Sequence, residues 1–526
     1  MNREYDAVVV GGGMAGLACA AYLSRYGYRT MLCEKGQKTG GLVGTFWHRG
    51  FAFDSGIRAF ENSGILYPML KSLGIDMEFS ANPVSIGIGQ SWTQLISRDS
   101  LSDYAAMLTA FFPSDATDIV RIAQEIRKVM AYMDVLYGID NPLFLENMHD
   151  QQYLLKTLLP WLLRYQVNIR KANRLNEPIC AYLQRFTHNQ ALIDMIAQHF
   201  FKETPTFFAL SYFGLYLDYS YPKGGTGALA QRVTDCILSS GGEIMTDSEV
   251  NRVDASTRQI VTADGEQYRY RKLVWAADQK ALYASINAPD SAAIVRQRAA
   301  AGQGTGGDSI LTLYLGANLG ADYFKNICGA HAFYTASTEG LSSLPAWEKA
   351  AAQGQDQLWM WLASYLERTT YEISCPALRD QSLAPDGQTG VIVSTLMDYG
   401  LVRHFSDGGH YDMFKAFCSE KILALLEANL FPGIGRETIF SLCSTPLTIE
   451  RETGNSHGAI TGWAFTNKAM PAENRFPKIT SSIKTPVEDI YQCGQWVFSP
   501  SGLPVSILTG KLAADAVRKS LKGNAQ

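Results

Sequence analysis

Gly11, Gly13 and Gly16 stand first, third and sixth in the run Gly11-Gly12-Gly13-Met14-Ala15-Gly16, a spacing that suits the chemistry of holding a pyrophosphate against a backbone turn. The first glycine permits the tight turn, the second lets phosphate approach the main chain, and the third lets a helix pack closely on a strand. Glu34 follows near the roughly 20-residue spacing at which an acid takes ribose hydroxyls, with Lys35 beside it. The elements that must position these residues surround them. Ala7-Val8-Val9-Val10 reads as a buried strand entering the turn, Met14 to Tyr26 as the helix leaving it, and Thr30-Met31-Leu32-Cys33 as a second strand ending at Glu34. The helix brings its unpaired N–H groups, around Met14 and Ala15, and its positive dipole end toward the phosphates, while Ala18, Ala20 and Ala21 allow close packing. Strand, turn, helix, strand and acid in this order predict a dinucleotide site.

Further blocks follow in the chain. Gly40-Gly41 precedes Phe51-Ala52-Phe53-Asp54-Ser55-Gly56; Tyr221-Pro222-Lys223-Gly224-Gly225-Thr226-Gly227-Ala228-Leu229 precedes Gly241-Gly242-Glu243-Ile244 and Val250; and Ile490-Tyr491-Gln492-Cys493-Gly494-Gln495-Trp496 precedes Gly502-Leu503-Pro504 and Gly510. In type and order these blocks resemble the motifs of the FAD-dependent amine oxidase and phytoene desaturase superfamily, nearest to its branch of phytoene desaturases, carotenoid isomerases and retinol saturases. The resemblance implies FAD, bound by the glycine turn and Glu34-Lys35, by Gly40, Gly41 and Leu42, by Val250 and Ala276, and by Gly494, Gln495, Leu503, Pro504 and Val505. The chain departs from many relatives at Leu42, where they carry Arg, so a phosphate contact must come from elsewhere or from backbone. Flavin links in the family use a Cys or His, and Cys493 points by alternation into the sheet, so non-covalent FAD is expected.

At 526 residues and 47% apolar, the chain can bury a large core in two or more domains. A formal net charge of −4 without a basic stripe argues against a nucleic-acid partner and lends no support to strong attraction to anionic membranes. The nine cysteines are scattered, without a CxxC pair or clustering with His, so no metal site or disulfide framework is expected. A strand starts so near Met1 that no signal peptide is expected, and no apolar run reaches membrane-spanning length. The expected location is cytoplasmic, with peripheral contact at the inner membrane face as the alternative.

The fold class expected is α/β: a Rossmann-type FAD-binding domain from residues 1–80, 223–290 and 441–526, interleaved with a substrate-binding domain of mixed sheet and helical cap from 81–222 and 291–440. Strands are expected at Glu243 to Met245, Val250 to Val253 and Leu273 to Ala277, around an Ala263-Asp264-Gly265-Glu266 turn. The second domain should draw strands from Pro83 to Ile96, Ile310 to Leu315, Leu358 to Leu362 and Val391 to Leu396, with a cap helix over Asp115 to Tyr137. Gly302 to Gly307 repeats the glycine pattern superficially, but a helical Arg296 to Ala301 precedes it, which makes it a loop.

No nucleophile–base pair is visible, and His48, His149, His404 and His457 read as surface or core residues. Arg58 is the one catalytic candidate: it follows Asp54-Ser55-Gly56, the turn that in the family passes close to the flavin ring, and the resemblance implies that it either stabilises reduced flavin or orients a polar substrate end; a salt bridge with Glu61 across a helical turn is the structural reading of the same pair. The aromatic stretch from Phe207 to Tyr219 fits core packing as well as a pocket. In the family it covers the flavin ring, and the resemblance implies substrate contacts from Phe208, Tyr212, Tyr216 and Trp496. Leu154 to Arg164 reads either as a monotopic membrane dip or as a buried helix pair broken at Pro160. The resemblance implies an FAD oxidoreductase that adds or removes hydrogen across carbon–carbon bonds of a hydrophobic polyene or isoprenoid, served by an unidentified electron donor or acceptor. An amine oxidase, or a non-redox flavin-dependent cis–trans isomerase, are the alternatives.

Overall fold

In the computed structural model of the chain, residues 3–145, 154–289 and 291–523 are described; His149 lies outside them. The apolar run and the glycine turn fold into β1 (Arg3–Val10), α1 (Met14–Arg25) and β2 (Thr30–Cys33). β1 lies parallel to β2 on one side and to the Gln267–Trp275 strand on the other. Glu243–Met245 adds beyond β2, and Ile490–Gln492 pairs with the end of Gln267–Trp275, both parallel. An antiparallel pair, Val250–Asp254 and Gln259–Thr262, and the short Ile286–Asn287 extend this to an eight-stranded sheet. Parallel strands put their carboxyl ends on one edge, where ligands bind in open α/β sheets. Ala18, Ala20 and Ala21 of α1 are fully buried, and the C-terminal helix Leu503–Gly523 packs so closely on α1 that a Cβ on Gly510 would lie 2.4 Å from the Ala15 carbonyl oxygen.

The second sheet has seven strands in the order Thr438–Ser444, Ser309–Ala317, Thr389–Met397, Thr370–Ser374, His331–Thr335, Val84–Ile88 and Ser91–Leu95. Only the His331–Thr335 and Val84–Ile88 pair is parallel. One face, with Leu313, Tyr334, Tyr371 and Val393, packs on helices carrying Leu358, Leu362, Phe414 and Ile422. Above the other face lie Ala116–Tyr137, Gln190–Ala197 and Thr206–Leu215, which share an apolar cluster. The first sheet thus draws its strands from 3–33, 243–287 and 490–492, and the second from 84–95 and 309–444. Thr438–Ser444 crosses the boundary expected at 441 because it pairs with Ser309–Ala317.

Three segments differ from expectation. Leu358 to Leu362 is not a strand but part of the helix Gln355–Arg368; it buries Leu358, Leu362 and Leu366 at a four-residue spacing and leaves Met360 63% exposed. Pro83 to Ile96 forms two strands, Val84–Ile88 and Ser91–Leu95, folded back on each other. Leu154 to Arg164 is not a buried helix pair. Its π-helical turn Leu154–Leu158 runs into the helix Leu159–Ala172, whose first turn accommodates Pro160. Leu155, Leu159, Leu163 and Val167 remain 51–66% exposed. The helix Ala292–Gln303 and the loop after it match the sequence reading of Gly302 to Gly307.

Candidate functional site

Each glycine of the turn has its own structural reason. Gly11 has φ +105°, and a Cβ there would meet the Ala276 carbonyl oxygen at 2.8 Å. A Cβ on Gly16 would lie 1.9 Å from the Gly11 carbonyl oxygen, so this residue sets the approach of α1 to β1. At Gly13 nothing beyond the adjoining backbone lies within 4 Å of where a Cβ would be: the space is open toward a large cavity. Glu34, at the end of β2, arches back over the turn and accepts from the Gly12 N–H at 2.6 Å and the Gly36 N–H at 2.7 Å. Gly40 donates its N–H to the Gly12 carbonyl at 2.7 Å, and a Cβ on Gly41 would lie 3.4 Å from the Gly13 Cα. The Leu42 carbonyl accepts from Ile57 at 3.0 Å and leaves no room for a side chain at Gly56, while Lys35 Nζ donates to the Arg451 carbonyl at 2.9 Å.

Asp54, fully buried, joins motifs far apart in sequence. Its Oδ1 accepts from the Thr226 N–H at 2.9 Å, the Thr226 hydroxyl at 2.8 Å and the Thr45 hydroxyl at 3.0 Å; its Oδ2 accepts from the Tyr221 hydroxyl at 2.7 Å. Arg58, 2% exposed, donates to the Asp54 carbonyl at 2.6 Å, to the Gly56 carbonyl and to the Ser394 hydroxyl at 3.1 Å. The expected Arg58–Glu61 salt bridge does not form, because residues 58–61 are not helical and the guanidinium is engaged elsewhere. Arg58 nevertheless reaches the cavity wall.

A single cavity of about 1940 Å³ extends from the glycine turn to the second sheet, well beyond the roughly 300–1,000 Å³ of most small-ligand pockets. Its nucleotide end is lined by Met14, Ala15, Glu34, Lys35, Leu42, Val250 and Ala276, and by Gly494, Gln495, Trp496 and Leu503 of the C-terminal block. Pro504 and Val505 sit in the first turn of the last helix, behind that wall. Cys493 is buried among apolar residues of the core, as alternation suggested. Phe208, Tyr212 and Tyr216 line the far end. Tyr216 is 2% exposed and shares the cap's apolar cluster, so it is wall and core at once. Trp496 donates its indole N–H to Asn455 Oδ1 at 3.2 Å and packs edge-on against Trp463.

The far end also holds polar groups that the sequence pattern does not reveal. His199 and His331 both reach the wall, whereas His48, His404 and His457, singled out from the sequence, do not. Burial pushes His199 down to about 4 and the Glu61 carboxyl up to about 7, the Asp218 charge adding to the latter. No local motif marks His331; finding it required knowing that residues 331–335 form a strand of the second sheet.

The residues fit a dinucleotide: open space at Gly13, the unpaired N–H groups that every helix start presents, and a fixed acid at the next strand end. Glu34→Gln tests that acid. The amide must turn its NH₂ toward either the Gly12 or the Gly36 N–H, a clash of donors that comes on top of the weaker acceptor. Affinity for FAD is expected to fall about tenfold or more while circular dichroism stays unchanged; unaltered affinity in a flavin titration would overturn the role of Glu34.

Comparison with known proteins extends this geometry. The family model described as an NAD(P)-binding Rossmann-like domain matches residues 9–73. The chain is 20% identical over 537 residues to a chloroplastic prolycopene isomerase of Daucus carota, covering 99% of this chain and 81% of the relative. It is 23% identical over 538 residues to a 4,4'-diapolycopen-4-al dehydrogenase of Metabacillus indicus, covering 97% and 96%. In fold it is similar to a putrescine oxidase variant with redesigned cofactor binding, with a TM-score of 0.64 and 12% identity over 99% of this chain and all of the other. In sequence and in fold, from one end of the chain to the other, the resemblance to the FAD-dependent amine oxidase and phytoene desaturase superfamily holds.

Proposed function

We propose that this protein is an FAD-dependent oxidoreductase that adds or removes hydrogen across carbon–carbon bonds of a hydrophobic polyene or isoprenoid. The observation that carries the reading is that the dinucleotide cradle and the aromatic chamber are parts of one cavity. FAD would be held non-covalently by the glycine turn, Glu34, Gly40-Gly41 and the Gly494-Gln495 segment. When bound, it supplies hydride transfer to or from a conjugated substrate. The chain's own residues do the rest: Phe208, Tyr212 and Tyr216 orient an apolar chain and exclude water, and the start of the last helix offers unpaired N–H groups to an anionic partner. The carrot and Metabacillus relatives bear carotenoid names, one an isomerase and one a dehydrogenase, so net-redox-neutral isomerisation is the second reading.

Anaerobic titration separates these. Oxidised and pre-reduced holoprotein are titrated with polyenes and with amines while the visible flavin band is followed. The proposal expects polyenes, and not amines, to bleach or restore the band. A polyene isomerised by reduced holoprotein with no change in the band supports the isomerase; bleaching by amines alone contradicts both.

Tyr212→Leu and Tyr216→Leu divide the chamber further. Tyr212 is half-buried on the wall, so its loss is expected to change the rate of flavin reduction with little effect on melting temperature. Tyr216 is also core, and its loss is expected to cost about 1–3 kcal/mol as well. Normal kinetics in both variants would remove the tyrosines from the substrate path.

Among the described residues no helix is long and apolar enough to cross a membrane. The exposed row Leu155, Leu159, Leu163 and Val167, on a segment with Lys156, Arg164, Arg170 and Lys171 and no acid from 154 to 172, supports contact with a membrane face. The double variant Leu159→Gln/Leu163→Gln is expected to lose most co-sedimentation with vesicles of mixed neutral and anionic phospholipid. Undiminished sedimentation would reject this contact.

A further inference from the structure

The far end of the cavity carries a polar assembly that the cofactor motifs do not explain. His331 and Glu372 lie on adjacent antiparallel strands, and alternation sends Ala332, Tyr334, Tyr371 and Ile373 into the core while His331, Phe333 and Glu372 face the cavity. The hydrogen bonds have a definite direction. Arg379 Nη1 donates to Asn82 Oδ1 at 2.9 Å, which orients the amide; Asn82 Nδ2 therefore donates to His331 Nδ1 at 3.1 Å, and the His331 Nε2–H donates to Glu372 Oε1 at 2.9 Å. Tyr219 stacks on the imidazole with 8° between planes, fixing the ring.

Asn82 and His331 are at most 1% exposed, whereas the Glu372 side chain keeps 31% of its surface, and that surface lines the cavity. Among the described residues no hydrogen bond reaches its second oxygen. Burial pushes this carboxyl up, but the hydrogen bond from His331 and the nearby Arg58 and Arg379 outweigh it and hold it below the ordinary carboxylate value. An anionic acceptor opening into an aromatic chamber calls for a donor from whatever fills the chamber. The fixed charges around it already balance, Arg58 and Arg379 against Asp54 and Glu372, so the donor should be neutral. A carboxylate ligand would be repelled, and a hydrocarbon would leave the oxygen unpaired.

We propose that Glu372, oriented by His331 and Asn82, is an end-group recognition site that binds the hydroxyl of a long, neutral isoprenoid alcohol. This rests on the polyene or isoprenoid reading of the cavity and narrows it to an oxygenated member of that class.

The test uses FAD-loaded protein and four probes of matched twenty-carbon isoprenoid chain: the alcohol, the amine, the carboxylic acid and the hydrocarbon. Dissociation constants are measured by quenching of intrinsic fluorescence. The wild type is expected to bind the alcohol about tenfold more tightly than the hydrocarbon, the acid most weakly, and the amine no better than the alcohol. Glu372→Gln, which keeps shape and the bond from His331, is expected to reduce the alcohol preference over hydrocarbon several-fold and to lessen the discrimination against the acid. The wild-type ranking stands as a test by itself should the variant fold poorly. Equal binding of alcohol and hydrocarbon, preference for the amine or acid, or an unchanged ranking in Glu372→Gln overturns this inference alone. No binding of any probe to the wild type overturns it together with the isoprenoid reading.

Discussion

Asp54→Ala is expected to leave little folded protein able to hold a flavin. The carboxylate is buried and accepts four hydrogen bonds, three of them from Thr226 and Tyr221, which belong to a distant motif. Removing it orphans those donors and leaves the buried Arg58 and Arg379 with Glu372 alone to set against their two charges, a loss of roughly 3–5 kcal/mol by analogy with broken buried ion pairs. Against a typical total stability of about 5–15 kcal/mol, that is a large share. Asp54→Asn retains Oδ1 as acceptor, and the Tyr221 hydroxyl can turn to accept from the new amide, so a smaller loss is expected. Melting curves of both variants beside the wild type check this order. An Asp54→Ala protein that melts within a few degrees of wild type would show that the two motifs are held together by other means.

Two glycines of one turn should fail in opposite ways. Gly16→Ala places a Cβ where the Gly11 carbonyl oxygen stands, a backbone atom that cannot rotate away, so α1 must move off β1. Overpacking of this kind costs about 1–3 kcal/mol or more, and apoprotein and holoprotein alike should melt early. Gly13 has φ −69° and ψ 172°, a conformation alanine adopts freely, with nothing near its Cβ position. Gly13→Ala is therefore expected to fold with the wild-type apoprotein melting temperature and to lose FAD affinity by at least about a hundredfold, because the methyl occupies the phosphate's space. Melting the cofactor-stripped proteins and titrating each with FAD gives both readouts. A Gly13→Ala protein that binds FAD normally would mean that the pyrophosphate does not approach this turn.

What was legible in the sequence was local grammar. β1, the glycine turn, α1 and β2 are contiguous, and each residue's role there is set by neighbours a few positions away. Gly302 to Gly307 could be set aside for the same reason, since the element before it was visibly helical. Leu358 to Leu362 misled because five bulky apolar residues suit a buried strand and a helix face equally, and only the i, i+4 burial of Leu358, Leu362 and Leu366 separates them. Asp54 was visible within its motif, but Thr226 and Tyr221, which supply three of its four hydrogen bonds, lie more than 160 residues away, and nothing local couples Asp54 to Tyr221. The Asn82, His331 and Glu372 chain was illegible for a further reason: it exists only once the register of three strands is known. Arg58 was noticeable, yet its engagement by the Asp54 and Gly56 carbonyls depends on a loop path that residue types do not encode.

Release of the flavin shows whether the cavity holds FAD without a covalent bond, as proposed. The protein is purified, its visible spectrum recorded, and the chain denatured by acid or heat and removed; the supernatant is then analysed by chromatography and mass. A yellow protein is expected, with FAD in the supernatant at close to equimolar amount and recovery of the spectrum when refolded or stripped protein is given FAD. Flavin that remains with the denatured chain, or a stripped protein that takes up no FAD, would contradict this expectation.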